Sequence, residues 1–173
     1  VSFPRFSPRL NIKSLPGWPQ EIATIVGWLN DPDVVRFSEQ RHVTQNPIVQ
    51  ALYIKSFSAP NEYLGIYDVN NLLIGTMTVY RDLPNRTANV GIMIGEKAAW
   101  GKGYGLEAWK TVCDDLFKNG LRKVEAGCMS INYRMMAICQ HYGMVEEGRQ
   151  LDHYMVMNGT ADLVHWGRFN EAS

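Results

Sequence analysis

The sequence predicts an α+β fold: a mixed, mostly antiparallel central sheet flanked by helices and finished by a C-terminal hairpin. Three observations carry that expectation. Three β-rich runs in the middle of the chain are joined by links too short for anything but turns. One strand–helix–strand crossover follows them. The chain then closes on a helix and two strands joined through "NGT", a hairpin turn signal.

Taken in order, "LNIKSL" (10–15) alternates in polarity and reads as a short strand. "PQEIATIVGWLND" places Ile22, Ile25, Val26 and Leu29 on one helical face. Asp31 offers a cap before Pro32 and a second short helical piece through Val35, and the polar "SEQRH" reads as loop. In "NPIVQALYIKSF", Asn46 stands at an N-cap and Pro47 at the first helical position. The period then changes to two: "YLGIYDV", "LLIGTMTVYR" and "TANVGIMIG" are strands of an antiparallel meander. After a glycine-rich turn, Leu106, Trp109, Val112, Cys113 and Leu116 recur with helical spacing until Gly120. "KVEAGCM" is a strand, Asn132 caps a helix through about His141, and Gly143 ends it. Two strands remain, roughly 145–157 and 161–169.

Bulk properties narrow the function classes. The chain has 173 residues, 46% of them hydrophobic, and 17 basic residues balance 17 acidic ones. That fits a single domain over 1–173 and gives no global field favouring nucleic acid or an anionic membrane. No apolar run is long enough to span a bilayer, and "VSFPRFSPRL" has no apolar h-region of a secretory signal. Three widely spaced cysteines argue for a reducing, cytoplasmic setting, and no metal-ligand spacing is seen among Cys and His.

The stretch "AAWGKGYGLEAW" (98–109) carries the chemistry. A Walker-type loop is excluded because Lys102 is not followed by Ser or Thr. Gly103, Gly105 and Ala108 match a dinucleotide fingerprint, but no strand runs directly into the first glycine and no βαβ unit precedes it. The third reading is a pyrophosphate held by backbone N–H groups at the N-terminus of the helix that starts near Gly105. Glycines at 101, 103 and 105 remove the Cβ atoms that would block approach, and Lys102 adds local positive charge.

"VGIMIGEKAAWGKGYGLEAW" followed by "INYRMMAICQHYGMVEEGR" resembles the GNAT superfamily of acyl-CoA-dependent N-acetyltransferases. The nearer likeness is to the branch of ribosomal-protein alanine acetyltransferases and related amino-sugar enzymes. The resemblance covers about 72–169 and implies acetyl-CoA as cosubstrate. It implies that "ANVGIMIG" splays from its neighbour and pairs with the pantetheine arm through Ile92, Met93 and Ile94. It implies that Trp100, Gly101, Lys102, Gly103, Tyr104 and Gly105 form the cofactor loop, with Asn132 contacting the pantetheine region. Trp100 stands where the superfamily usually carries a polar side chain. Lys97 and Arg134 are further candidates for the phosphates, or isolated surface charges.

The carboxylate usual two residues before the strand glycine is absent, since Asn89 stands there, and a carboxamide is no general base. Glu39 and His42 are therefore the candidate bases, with Arg41 and His42 as substrate contacts; a solvated polar loop explains the same residues. Cys139, seven residues after Asn132, is the candidate general acid, although it also fits the apolar face of its helix. Tyr142 is an alternative donor. The expected acceptor is a small polar amine such as an amino sugar, or a peptide N-terminus. The alternative function is a non-catalytic acyl-CoA sensor. The apolar terminal hairpin admits a homodimer.

Overall fold

The structure, a computed structural model, describes residues 4–171. Its strands are β1 (Arg5–Phe6), β2 (Asn11–Ser14), β3 (Glu62–Tyr67), β4 (Leu73–Asp82), β5 (Thr87–Ile94), β6 (Lys123–Met129), β7 (Val145–Val156) and β8 (Gly159–Phe169). The helices are α1 (Pro19–Leu29), α2 (Pro47–Ser56), α3 (Tyr104–Lys118) and α4 (Tyr133–His141). All strands join one eight-stranded sheet in the order β1-β2-β3-β4-β5-β6-β8-β7. Every junction is antiparallel except β5–β6, the one closed by the α3 crossover.

Helix starts follow from local chemistry. Pro19 and Pro47 occupy the first turns of α1 and α2, where a missing N–H leaves no helical bond unmade. Asn46 and Asn132 accept from the N–H groups of Val49 (3.0 Å) and Met135 (3.2 Å), capping α2 and α4. α3 differs: Gly103 stands at its cap with φ +81° and no side chain caps it.

The sheet buries both faces of its central strands, in two cores. On one face α3 and α4 pack Trp109, Val112, Leu116 and Cys139 over Leu64, Val79, Ala88, Val90 and Val124. Trp109, Val112 and Leu116 are at most 1% exposed, and burying each contributes about 1.5–3 kcal/mol. On the other face Ile25, Trp28 and Leu29 of α1 and Ile54 of α2 cover Tyr63, Tyr67 and Leu73. The strand period of two sends Ala88 and Val90 to the α3 side and Asn89 and Gly91 to the α1–α2 side.

Two local expectations are corrected. The piece after Pro32 forms turns rather than a helix: Val34 and Val35 both donate to the Asp31 carbonyl, and no ladder continues. "SEQRH" is not open loop but a 3-10 turn at Glu39–His42, capped by the Ser38 hydroxyl accepting from Gln40 N–H at 3.1 Å. Strand β1 has only two residues, too few to show a period. The terminal hairpin also inserts in an order that local sequence does not specify, with β8 and not β7 beside β6.

Candidate active site

β5 and β6 pair through only three rungs, Thr87↔Lys123, Ala88↔Val124 and Asn89↔Glu125. Beyond Asn89, β5 continues against β4 while β6 continues against β8. The two strands part, and β5 carries an edge from Val90 to Ile94 without a β6 partner. Alternate residues on such an edge present free N–H and C=O groups. The far end of β5 is held in place by two tryptophans. The Trp100 indole N–H donates to the Ile94 carbonyl at 2.7 Å, and Gly95 lies flat against the Trp28 ring where a Cβ would overlap it.

The glycine loop lies at the end of this cleft. Gly101 (φ +74°) and Gly103 (φ +81°) adopt left-handed backbone that L side chains rarely take. Among the described residues a Cβ on Gly101 would meet nothing within 4 Å, so that space is open. Gly105 has a different reason to be glycine: a Cβ there would come within 3.2 Å of Ile138 Cδ1 and 3.7 Å of Ile94 Cγ1, so it seats α3 against α4 and β5. The first intrahelical acceptor contact of α3 is Glu107 N–H to the Gly103 carbonyl. The N–H groups of Tyr104, Gly105 and Leu106 therefore point out of the helix end, where its dipole is positive.

The N-terminal segment braces this loop. Arg9 donates to the Lys102 carbonyl (2.9 Å), pairs with Glu107 and lies 4.6 Å over the Tyr104 ring, while Ser7 Oγ donates to Glu107 (2.8 Å). Burial alone would raise the Glu107 carboxyl, but the bonds from Ser7 and Arg9 hold it below its ordinary value. Arg134 lies 4.8 Å over the Trp100 ring beside the loop. Lys97 is turned to Asp31 and Asp33 at 2.8 and 2.7 Å, and Lys102 is exposed.

A cavity of about 350 Å³ opens on the opposite face, against the same strand. Its floor is Gly91, Ile92 and Met93 of β5 with Thr76 and Thr78 of β4 and Tyr63 of β3. Val49, Gln50 and Tyr53 of α2 and Leu29 of α1 form one wall, and Ser38, Gln40 and Gln45 the other. Gln50 is 3% exposed and its amide donates to Tyr63 Oη at 3.3 Å. Tyr53 and Tyr80 share a hydrogen bond of 3.0 Å. Burial raises the Tyr53 and Tyr63 phenols above their ordinary values, so both stay neutral.

The structure brings the end of β5 at Ile94 and the loop 100–105 together, leaves Asn132 as the cap of α4, and leaves the predicted chemistry residues outside the cavity lining. Glu39 is 63% exposed and bonded to Arg41 at 3.0 Å. Arg41 also donates to the Ser38 and Met155 carbonyls, fastening the 3-10 turn to β7, and His42 is exposed. Their neighbours Ser38 and Gln40 are the ones that line the cavity. Cys139 has no exposed surface, and burial pushes its thiol up to about 12. The Tyr142 hydroxyl donates to Asp114 (2.9 Å). Gln45, Gln50, Tyr53 and Tyr63 were not legible as site residues, because only the packing of α2 over β3 and β4 assembles them.

Among the described residues no helix is long and apolar enough to cross a membrane, and no group of three or more His, Cys, Asp and Glu is placed to hold a metal ion. The family model described as an acetyltransferase (GNAT) domain matches residues 15–145. No curated protein matches the chain. Among solved structures, an acetyltransferase (GNAT family) from Bacillus anthracis superposes with TM-score 0.82 at 19% identity, covering 98% of this chain and 99% of that one. A spermidine N-acetyltransferase from Vibrio cholerae, in complex with CoA and spermine, gives TM-score 0.82 at 18% identity, covering 95% and 97%. RimL, a ribosomal L7/L12 alpha-N-protein acetyltransferase in complex with coenzyme A, gives TM-score 0.83 at 11% identity, covering 96% and 97%.

Proposed function

The chain belongs to the GNAT acetyltransferase family, and on that premise we propose that it transfers the acetyl group of acetyl-CoA to a primary amine. The acceptor is a small polar amine such as an amino sugar, or a protein N-terminus. One observation carries this reading: the open edge of β5 faces an uncapped helix end on one side and an uncharged cavity on the other. That arrangement would bring a thioester carrier and an acceptor to the same two residues, Ile92 and Met93.

In this reading the pyrophosphate of acetyl-CoA takes hydrogen bonds from the N–H groups of Tyr104, Gly105 and Leu106, with Lys102 and Arg134 adding charge nearby. The pantetheine arm completes the β5 edge as a missing strand would, and Asn132 meets it from α4. An N–H of the Ile92–Ile94 edge donates to the thioester oxygen as negative charge develops there. The neutral acceptor nitrogen attacks the carbonyl carbon from the cavity, the C–S bond breaks, CoA leaves as thiolate, and the new amide nitrogen gives up its extra proton to water. The structures holding CoA on the same fold support the placement.

The test is thermal. CoA at a hundred times its Kd stabilises a native state by about 2.7 kcal/mol, a rise of about 5–10 °C in Tm for a chain of this size. Gly101→Val strains one left-handed residue and fills space that the protein leaves open. It should keep the fold and lose most of that rise. A wild-type Tm indifferent to saturating CoA defeats the proposal. The second reading, an acyl-CoA sensor, draws on Asn89 and on a cavity lined by no carboxylate among the described residues. Thiol release from acetyl-CoA with any acceptor removes it.

A further inference from the structure

The structure assigns to the cavity beside β5 an acceptor whose only cationic group is the reacting amine, on an otherwise uncharged body. This rests on the acetyl-transfer reading and narrows it. Among the described residues the lining holds no charged side chain, only amides, hydroxyls and apolar groups. The nearest charges on the 3-10 turn, Glu39 and Arg41, are paired with each other and stand outside the lining.

The polar groups of the lining are partly committed in ways that leave neutral acceptors and donors for a ligand. The Gln50 amide nitrogen is used on Tyr63, leaving its side-chain oxygen, and the Gln45 amide nitrogen donates to the Gln40 side-chain oxygen Oε1. Such a wall satisfies hydroxyls and amides through uncharged hydrogen bonds. A second ammonium brought into it would lose water and meet no opposite charge, which is strongly unfavourable. Polyamines carry several ammonium groups at neutral pH and are disfavoured on that ground.

The experiment compares three acceptor classes by thiol release from acetyl-CoA: mono-amino sugars, spermidine with spermine, and short peptides with free N-termini. The expected result is that the best mono-amine with a neutral body exceeds both polyamines at least a hundredfold in kcat/KM. Gln50→Glu, which puts a carboxylate in the wall, should shift that ratio towards the polyamines at least tenfold. Gln40→Glu, at an exposed position, makes the same shift in smaller measure if Gln50→Glu fails to fold. Each protein is also melted with and without CoA. A missing CoA shift in the wild type sinks the acetyl-transfer reading and this inference with it. A normal CoA shift with polyamines preferred sinks this inference alone; a normal CoA shift with all three classes silent sinks it together with the acetyl-transfer reading and leaves the acyl-CoA sensor.

Discussion

The thiol of Cys139 packs under α4 in the larger core, and its pKa is pushed up to about 12 by burial. A CoA thiolate has the basicity of an ordinary thiol, about 8.5, so proton transfer from Cys139 to it would run uphill by about 3–4 pKa units, or about 4–5 kcal/mol. A thiolate of that basicity leaves without help. Cys139 therefore earns its place by packing, and Cys139→Ala is expected to lower stability by about 1–2 kcal/mol while kcat stays within about threefold. A hundredfold loss of kcat at unchanged Tm would return the residue to a proton-donating role. The seven-residue spacing from Asn132 was visible in the sequence, as was the apolar face of the same helix. Only the depth of burial chooses between them. Trp100 illustrates the reverse case, a residue readable as packing whose indole N–H also holds the end of β5.

At the scale of elements, the meander was legible from three β-rich runs with short links, the crossover from the helical spacing of α3, and the final hairpin from its "NGT" turn. The splay of β5 from β6 left no such local mark, since it depends on where two distant strands stop pairing. It entered the sequence reading through the resemblance alone. That splay has a chemical consequence. Asn89 and Glu125 form the last rung before the strands part, and in-register neighbours share a face. Val124 and Ala126 belong to the α3-side core, so Glu125 projects to the cavity side, where Lys123 holds it at 2.8 Å. A carboxylate thus stands one strand over from Asn89, outside the lining of the cavity. We expect it to take the amine proton through water. Glu125→Gln should lower kcat/KM by about a hundredfold at neutral pH with CoA binding unchanged, the range for loss of a general base. An unaltered rate would leave deprotonation to bulk solvent.

At the scale of the molecule, the sheet's first edge is tied to the body by buried charge. Arg5 of β1, 8% exposed, bonds Glu62 of β3 at 3.1 Å and Asp115 of α3 at 2.6 Å, while Arg81 of β4 bonds the same Glu62. Four side chains from four elements thus meet where α3 crosses the sheet edge. None of this was readable in advance: Arg5 and Asp115 lie 110 positions apart, and isolated charges in sequence read as surface. The same N-terminal segment, through Ser7 and Arg9, braces the first turn of α3 beside the glycine loop. Removing one partner of a buried pair leaves an uncompensated charge. Breaking such a pair costs about 3–5 kcal/mol, and here Arg81 retains part of the compensation. Arg5→Ala is therefore expected to cost about 2–4 kcal/mol, a fall of about 5–15 °C in Tm. Because Arg9 and Ser7 reach α3 from the far side of β1, the loss should also weaken CoA binding, by less than tenfold. A melting curve unmoved by Arg5→Ala would show that the cluster adds nothing to the fold. Intact CoA affinity with the expected fall in Tm would show instead that the brace on the loop stands independently of the edge that carries it.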